Sequence, residues 1–474
     1  MTKLPDITSN FSEWYNELVY ASELADHSPV RGSLVIRPYG NAIWELMQKR
    51  LDERIKATGH QNALFPLLIP QSFLYKEAEH VQGFAPEVAV VTYAGGKELE
   101  EPYIVRPTSE TIIHHMFARW IKSWRDLPLK INQWANVVRW EMRPRPFVRT
   151  TEFFWQEGHT AHETQEQAHE EVICMLNEYV EFCRDYLAIP SVAARKPAHE
   201  RFPGAVETYT FESMMQDGKA LQMGTSHLLS QTFAHAFDMK FQDTQGNVAY
   251  PWLTSWAVTT RLVGALIMVH GDQKGLVIPP MIAPYQVVII PIIKKNDSES
   301  RILAAVERIK ESLHHAGIRV LVDADQTKTP GTKFYEWELK GVPLRIEIGE
   351  RDIEKDSVII VNRSTGEKKS ISCENSAQTI QDELRAMQNH LLRKAEDRLV
   401  QEQWQKVEKI MKETVLFEEK GGFFQTGWCT NASCVAMIKE IKGTIRCVLD
   451  ERTFEQCTIC DQKSEADVLI AKAY

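Results

Sequence analysis

Residues 137–162 carry a basic loop between two strand-like segments, and this pattern restricts the possible fold and chemistry more than any other stretch. The first segment contains Arg139 and Glu141, the loop over 143–149 is rich in Arg and Pro, and the second segment covers 152–159. Two such strands predict a hairpin whose loop can close over a polyanion, because arginine donates paired hydrogen bonds to phosphate. We expect Glu141 to share a strand face with Arg139, where its carboxylate can accept from an adenine amino group.

An exposed hairpin with solvated charges is the alternative interpretation, and it is the usual fate of an arginine-rich loop. Three successive aromatic residues, Phe153, Phe154 and Trp155, argue against it because they indicate the half-buried wall of a pocket. We therefore interpret the hairpin as part of a binding site.

The composition limits the classes of protein to which the chain can belong. Its 474 residues are 43% hydrophobic and 25% charged, as in soluble globular proteins, and the length predicts about three domains. A net charge of -9 argues against a general nucleic-acid-binding protein, so any RNA contact requires local basic patches. The unevenly spread cysteines do not form a disulfide scaffold. Neither a signal peptide nor a membrane span is expected, which predicts a cytoplasmic location.

The hairpin also carries a family resemblance. The R-x-E at Arg139, the basic loop and the strand FFWQEGHTAH over 153–162 resemble motif 2 of the class II aminoacyl-tRNA synthetases. They are most similar to the prolyl-tRNA synthetases of the archaeal and eukaryote-like type, and the similarity extends over nearly the whole chain. It implies an enzyme that attaches L-proline to tRNA(Pro) through prolyl-adenylate, with ATP and Mg²⁺ as the substrate complex. It also implies an α+β catalytic domain, with an antiparallel sheet flanked by helices, over residues 1–280.

The segment before the hairpin resembles motif 1 of the same family. Apolar residues at helical spacing predict a helix over 41–58 that ends at Gly59, and a short apolar run over 63–69 stops at Pro70. The resemblance implies a homodimer formed through this segment. An ordinary helix–strand unit is the alternative, and the segment alone favours it.

The resemblance implies a proline pocket. Residues 103–110 predict a strand followed by a helix N-terminus, and capping is the commoner use of a Thr-Ser-Glu sequence. The family match adds that Thr108 and Glu110 receive the substrate α-amino group, and that Phe84 lies on a loop closing over the pocket. The other implied pocket residues are Arg139, Trp155, Glu157, His159, His227 and Thr259.

ATP contacts are implied by motif 2 and by a further segment. Residues 252–270 predict a strand passing into an apolar helix with Arg261 at the turn, which resembles motif 3. A buried helix with one interfacial arginine is the alternative, but an uncompensated arginine there would be costly. The family match places Arg139 on the α-phosphate and Arg261 on the γ-phosphate, and these two are the implied catalytic residues. The complete implied ATP set is Arg139, Glu141, Arg149, Thr150, Gln222, Thr225 and Arg261.

Two features between motifs 2 and 3 add to this interpretation. We expect Gln222, Thr225 and His227 at a strand-to-helix junction. Residues 163–251 are too few for the large editing domain that bacterial-type prolyl-tRNA synthetases carry between the two motifs.

A proline-rich linker over 279–284 marks the first domain boundary. Beyond it, strands and helices alternate and predict an α/β domain over 284–375 that resembles the anticodon-binding domain of the family. Glu338, Arg345 and Arg351 are residue types that suit the exposed edges of guanine and cytosine. A solvated strand end is the alternative for these charges.

The remaining residues, 376–474, predict a long helix or helix pair over 376–416 and then a small zinc-binding α+β domain. A C-x4-C pair and a C-x2-C pair are spaced as in tetrahedral, structural zinc sites. Cys447 lies in an apolar strand-like run and is the spare cysteine, and reduced free cysteines are the alternative. The expected ligands are Cys429, Cys434, Cys457 and Cys460.

Two other functions remain open at this stage. A catalytically silent synthetase paralogue could bind tRNA or a regulatory partner, but intact Arg139, Glu141 and Arg261 argue against it. An adenylate-forming enzyme could act without tRNA, but the anticodon-like domain argues against that.

Overall fold

The computed structural model describes residues 3–76, 88–294 and 297–474. The helices described before residue 280 are α1 Phe11–Ala21, α2 Pro38–Ala57, α3 Gln71–Leu74, α4 Glu110–Trp120, α5 Gln165–Leu187, α6 Thr232–Ala236 and α7 Arg261–His270. The strands are β1 Ala25–His27, β2 Leu34–Ile36, β3 Gln61–Asn62, β4 Leu68–Pro70, β5 Ala89–Ala94, β6 Lys97–Val105, β7 Leu129–Val138, β8 Glu152–His162, β9 Val192–Arg195, β10 Glu207–Met214, β11 Ala220–Ser230, β12 Phe241–Gln242, β13 Val248–Ala249 and β14 Trp252–Thr259.

Beyond residue 280 the described helices are α8 Glu299–His315, α9 Pro330–Leu339, α10 Glu350–Glu354, α11 Ser376–Glu402, α12 Thr414–Glu419 and α13 Ala432–Glu440. The strands are β15 Val287–Ile292, β16 Val320–Val322, β17 Leu344–Gly349, β18 Ser357–Asn362, β19 Lys368–Ser372, β20 Trp404–Lys406, β21 Phe423–Trp428, β22 Thr444–Leu449 and β23 Ala466–Ala471. Among the residues described, no helix is long and apolar enough to span a membrane.

One large sheet organises the catalytic region. Its strand order is β20-β21-β23-β22-β9-β10-β11-β14-β8-β7-β3, and the run from β9 to β7 is antiparallel throughout. Helix α5 packs on β11 and β14 and buries Val172, Tyr179 and Cys183 there. The antiparallel sheet flanked by helices confirms the predicted class of catalytic fold.

The C-terminal strands extend this same sheet. Val448 in β22 pairs with Arg195 in β9, so residues far apart in sequence share one hydrogen-bonded layer. The domain boundaries at 280, 284 and 376 remain a prediction.

The predicted hairpin is present. Strands β7 and β8 pair in register from Leu129 opposite Ala161 to Val138 opposite Glu152. The strand ends at Val138, however, so Arg139 and Glu141 lie in the connecting loop. The expectation that they share a strand face was therefore wrong. The Glu141 carboxylate instead accepts from the backbone N–H of Arg143, 2.8 Å away, which turns the chain out of the ladder.

A second hairpin, β10–β11, corrects another prediction. Its turn is at Gly218, with a φ of 73°, a backbone conformation that glycine adopts readily. Gln222, Thr225 and His227 lie within β11, not at a strand-to-helix junction. This strand pairs with β10 on one side and β14 on the other, so it continues to Ser230 before α6 begins.

Residues 287–372 form a separate five-stranded sheet of order β16-β15-β17-β18-β19. Strand β15 is parallel to both neighbours, β16 and β17, which confirms the predicted α/β arrangement. Helix α9 was missed, although Thr329 caps it by accepting from Thr332 N and Pro330 occupies its first turn. The stretch over 376–416 contains one long helix, α11, and then β20 and the start of α12.

Candidate active site

The predicted proline and ATP residues meet in one cavity of about 320 Å³. It lies where the β7–β8 hairpin, β11, β14 and the start of α7 face one another. Phe84, the expected cover, lies outside the described residues. All the other predicted members line this cavity, namely Thr108, Glu110, Arg139, Glu141, Arg149, Thr150, Trp155, Glu157, His159, Gln222, Thr225, His227, Thr259 and Arg261.

A hydrogen-bonded carboxylate network forms the buried end of the cavity. Thr108 Oγ1 donates to Glu110 Oε2 at the start of α4. Glu157 Oε1 accepts from Ser109 Oγ at 2.5 Å and from Gln133 Nε2, and Glu157 Oε2 lies 3.0 Å from His159 Nε2. Each carboxylate is therefore held in a fixed orientation, as recognition of an ammonium group requires.

The surroundings shift the pKa values of the two cavity histidines in opposite directions. Burial opposes charge on both Glu157 and His159, but their mutual hydrogen bond and attraction outweigh it. The pKa of Glu157 is lowered and the pKa of His159 is raised, so each group favours the charged form of the other. Burial, with repulsion from His159 and Arg139, lowers the pKa of His227 to about 3. Neutral His227 lies between the hydroxyls of Thr208, at 3.0 Å, and Thr225, at 2.8 Å.

Arg139 connects the two halves of the cavity. Its Nε donates to Pro107 O at 2.8 Å, and its guanidinium lies 5.5 Å from the ring centroids of both Phe153 and Trp155. These distances are within the range of a cation–π contact. The aromatic residues therefore orient the arginine, as the sequence suggested for a pocket wall.

The phosphate side of the cavity concentrates positive charge. Arg261 donates to Val148 O at 3.2 Å and to Gln222 O at 3.0 Å. Burial, followed by repulsion from Arg149 and Arg139, lowers the pKa of Arg261 to about 10. Guanidiniums held by backbone carbonyls need little reorganisation when an anion enters, which favours charge stabilisation in a reaction.

Sequence reasoning missed the wall contributed by the β9–β10 connection. Lys196, Arg201, Phe202 and Thr208 also line the cavity. Residues 196–203 are basic and contain proline, and this was the only feature in the sequence that could have marked them. Their position depends on pairing between distant strands.

Two of the three predicted anticodon residues lie together. Glu338 and Arg345 line a cavity of about 170 Å³ on the α/β unit, and Arg351 lies outside it on α10. Arg345 stacks over Phe334, with its guanidinium 4.3 Å from the ring centroid. It also donates to Glu347 Oε1 at 2.8 Å.

The four expected metal ligands form one cluster, with their sulfur atoms all within 4.8 Å of one another. Cys429 Sγ lies 3.5 Å from Cys460 Sγ and 3.6 Å from Cys434 Sγ, and Cys434 Sγ lies 3.9 Å from Cys457 Sγ. Zn–S bonds of about 2.3 Å in a tetrahedron require S···S distances of about 3.8 Å. The cluster therefore fits a zinc ion, whereas Cys447 is buried in β22 outside it.

Two parts of the chain match known protein families. Residues 92–270 match the family described as "tRNA synthetase class II core domain (G, H, P, S and T)", and residues 286–383 match "Anticodon binding domain". With the antiparallel sheet and the basic hairpin, these matches define a class II aminoacyl-tRNA synthetase.

Individual relatives identify the family within this class. "Proline--tRNA ligase 2" of Clostridioides difficile (strain 630) is 49% identical, over 100% of this chain and 98% of its own. "Proline--tRNA ligase" of Bacteroides fragilis (strain YCH46) is 48% identical, over 100% and 99%. A crystal structure of prolyl-tRNA synthetase from Cryptosporidium parvum complexed with L-proline and AMP superposes with a TM-score of 0.93 at 40% identity, covering 99% of each chain. The chain belongs to the prolyl-tRNA synthetase family, and its branch within that family stays a prediction.

Proposed function

We propose that this chain attaches L-proline to tRNA(Pro) in two ATP-dependent steps, and that it does so in the cytoplasm. The observation that carries the proposal is that the described proline and ATP residues line a single cavity. A relative described as complexed with L-proline and AMP has the same fold at a TM-score of 0.93.

In the first step a proline carboxylate oxygen attacks the α-phosphorus of ATP, and pyrophosphate leaves. Thr108 and Glu110 would hold the α-amino group, while Trp155, Glu157, His159, His227 and Thr259 shape the ring pocket. Arg139 would contact both the carboxylate and the α-phosphate. Catalysis is then positioning and charge stabilisation, without a covalent protein nucleophile.

ATP would enter as its Mg²⁺ complex, in which the cation offsets phosphate charge. Arg261 suits the γ-phosphate because its guanidinium is held in place by Val148 O and Gln222 O. The remaining proposed ATP contacts are Glu141, Arg149, Thr150, Gln222 and Thr225. In the second step a ribose hydroxyl at the tRNA 3′ end attacks the prolyl carbonyl, and AMP leaves.

Proline-dependent pyrophosphate exchange, measured with and without tRNA and followed by a charging assay, tests this function. We expect exchange without tRNA and prolyl-tRNA once tRNA(Pro) is added. A silent paralogue would give neither product. An adenylate-forming enzyme that works without tRNA would give exchange but no prolyl-tRNA.

We also propose that the cavity containing Glu338 and Arg345 reads anticodon bases. Arg345 can donate to a guanine edge, and Glu338 can accept from a base amino group. Trp337 and Lys368 line the same cavity and supply a stacking surface and a phosphate contact. Arg351 remains a candidate contact outside it. The anticodon of tRNA(Pro) contains two guanines. Charging should fall when either of them is replaced, and unchanged charging would exclude this role.

A homodimer through motif 1 is proposed from exposed apolar residues within that segment and next to it. Leu64 is 84% exposed, and Leu68 and Trp120 are also exposed. Apolar surface of this kind typically marks a protein interface. Light scattering should give twice the chain mass of 54.4 kDa, and a single-chain mass at micromolar concentration would exclude the dimer.

The division into units at 1–280, 284–375 and 376–474 is likewise a proposal. It is supported by the separate family matches over 92–270 and 286–383. A buried cluster around Ile289, Ile346 and Ile360 gives the α/β unit a core of its own. Limited proteolysis should cut near the boundary at 376, where Glu374 and Asn375 are exposed.

Zinc binding gives a direct prediction. We expect one zinc per chain, Cys457→Ser to lose it, and Cys447→Ser to retain it, because only the first substitution removes a clustered thiolate. Elemental analysis of protein expressed in zinc-sufficient medium measures both. A metal-free wild-type protein, or equal zinc loss in both variants, would contradict the assignment.

A further inference from the structure

Arg106 is a buried arginine to which the mechanism proposed above gives no role. It directly follows β6 and is 5% exposed. It lies where the β4-β6-β5 sheet meets the large sheet, because its N–H donates to Leu67 O at 3.0 Å and its carbonyl accepts from Val138 N at 3.1 Å. We propose that Arg106 is a positioning residue for adenylate formation, which fixes the orientation of Arg139 through the backbone of Pro107. The proposal rests on the function proposed above.

The guanidinium of Arg106 joins two segments of backbone. Its Nη1 donates to Phe65 O at 2.7 Å and lies 3.3 Å from Pro66 O. Its Nε donates to Asn136 O at 2.8 Å, and its Nη2 lies 3.3 Å from Asn136 Oδ1. The first two acceptors precede β4 in the segment that resembles motif 1, and Asn136 belongs to β7. The side chain therefore connects the motif 1 segment to the strand that leads into Arg139.

The charge of Arg106 is held by neutral oxygens. Among the residues described, none of the acceptors bonded to its side chain is a carboxylate. Burial lowers the pKa of Arg106, and the negative charge of Glu157 opposes that effect. Burying an arginine without a bonded carboxylate costs free energy. Stability alone therefore does not account for an arginine at this position, whereas a need to hold the neighbouring backbone in place does.

The next residue in the chain connects Arg106 to the catalytic cavity. Pro107 O accepts from Arg139 Nε at 2.8 Å. Pro107 is buried, and its ring restricts its φ. The carbonyl that orients Arg139 therefore has little freedom to move as long as Arg106 is held on both sides.

The site proposed for the α-amino group of proline has an anchor of its own. Thr108 Oγ1 donates to Glu110 Oε2, and Glu110 is the first residue of α4. Loss of the Arg106 contacts should therefore disturb Arg139 more than it disturbs this site. The expected signature is a lower kcat for pyrophosphate exchange with little change in the KM for proline.

Arg106→Met tests the role because it removes the four side-chain contacts and keeps an unbranched side chain. We expect kcat to fall about tenfold, since a displaced donor costs less than a missing one. The KM values for proline and ATP should stay within about threefold of wild type. The matched control is Arg319→Met, because Arg319 also donates to neutral carbonyls, Ala283 O at 2.7 Å and Pro280 O at 2.8 Å. It holds the 279–284 linker, so kcat should not change.

A double-mutant cycle with Arg139 separates positioning from a purely structural role. If Arg106 acts through Arg139, then Arg106→Met/Arg139→Ala should be no slower than Arg139→Ala. A second fall of about tenfold in the double variant would show an independent effect and overturn the proposal, as would a kcat for Arg106→Met equal to that of the control. If circular dichroism shows that Arg106→Met does not fold, Arg106→Lys takes its place in the cycle. Lysine keeps the charge but cannot reproduce the forked contacts.

Crystal structures of wild type and of the Arg106 variant give a readout that does not depend on activity. We expect the contact between Arg139 Nε and Pro107 O to be lost in the variant. An unchanged Arg139 would overturn the proposal. Absence of proline-dependent exchange in wild type would instead contradict the proposed function, while the two crystal structures would still decide whether Arg106 orients Arg139.

Discussion

Arg139→Ala is expected to lower proline-dependent pyrophosphate exchange by about a hundredfold or more, the usual cost of removing one preorganised donor to a developing charge. Arg139 is the cavity residue proposed to contact the reacting carboxylate and the α-phosphate together. Its guanidinium is already oriented by Pro107 O and by the rings of Phe153 and Trp155.

The fold should survive this substitution. Arg139 adds positive charge beside Arg261 and His227, and after burial its repulsion is among the causes that lower their pKa values. Removing it relieves repulsion, so we expect unchanged circular dichroism and an unfolding transition no lower than that of wild type. Arg143→Ala is the matched control because Arg143 is exposed on the same loop and does not line the cavity.

Arg139→Lys separates charge from geometry. Lysine keeps the positive charge but cannot make two parallel hydrogen bonds, so exchange should stay well below wild type. A loss of only a few-fold in Arg139→Ala, or an equal loss in Arg143→Ala, would contradict the proposed role. The rate is measured at saturating ATP and proline so that binding defects do not mask the chemical step.

The sequence predicted features that arise from neighbouring residues. The Arg-Pro loop between alternating apolar runs was enough to predict the β7–β8 hairpin. Arg261, placed where an apolar strand becomes an apolar helix, was enough to predict its position at the first turn of α7. In both cases the pattern and the chemistry lie within a few residues of each other.

Other errors arose where tertiary packing decides the structure. The sequence Gly-Thr-Ser-His over 224–227 looks like the end of a strand, but it lies inside β11. A Cβ at Gly224 would lie 2.6 Å from Val258 Cγ1 and 2.7 Å from Phe211. The glycine therefore permits close strand packing and does not mark a turn. No local pattern distinguishes these two uses.

Contacts between distant segments were invisible for the same reason. The continuation of the catalytic sheet into β22, and the place of Lys196 in the cavity wall, depend on pairings across more than one unit. The zinc cluster was predictable despite its long central gap because each half has its own short ligand spacing.

Glu212→Gln is expected to destabilise the junction between the catalytic sheet and the C-terminal strands by about 3–5 kcal/mol, the usual cost of breaking a buried ion pair. Glu212 is fully buried on β10. Its Oε1 lies 3.2 Å from Lys196 Nζ, and its Oε2 accepts from Arg446 Nη2 at 2.8 Å. One carboxylate thus compensates two buried cations, one of them on β22.

The effect should depend on pH. Burial would raise the pKa of Glu212, but Arg446 and Lys196 outweigh it and lower that pKa below its usual value of 4.5. The stabilisation is therefore fully present above pH 4.5 and is lost as the pH falls through the lower folded-state value. The difference between wild type and Glu212→Gln should be largest near neutral pH and shrink in acid.

Hydrogen exchange of the β22 amides is the measurement, since a chain with several cores does not unfold in one step. The matched control is Glu307→Gln, which breaks an exposed ion pair between Glu307 Oε1 and Lys310 Nζ, 2.8 Å apart. This substitution should cost less than about 1 kcal/mol. Glu212→Gln/Arg446→Met should be less destabilised than Glu212→Gln, because one of the two uncompensated cations is gone. If β22 exchanges alike in Glu212→Gln and in the control, the carboxylate does not hold the two units together.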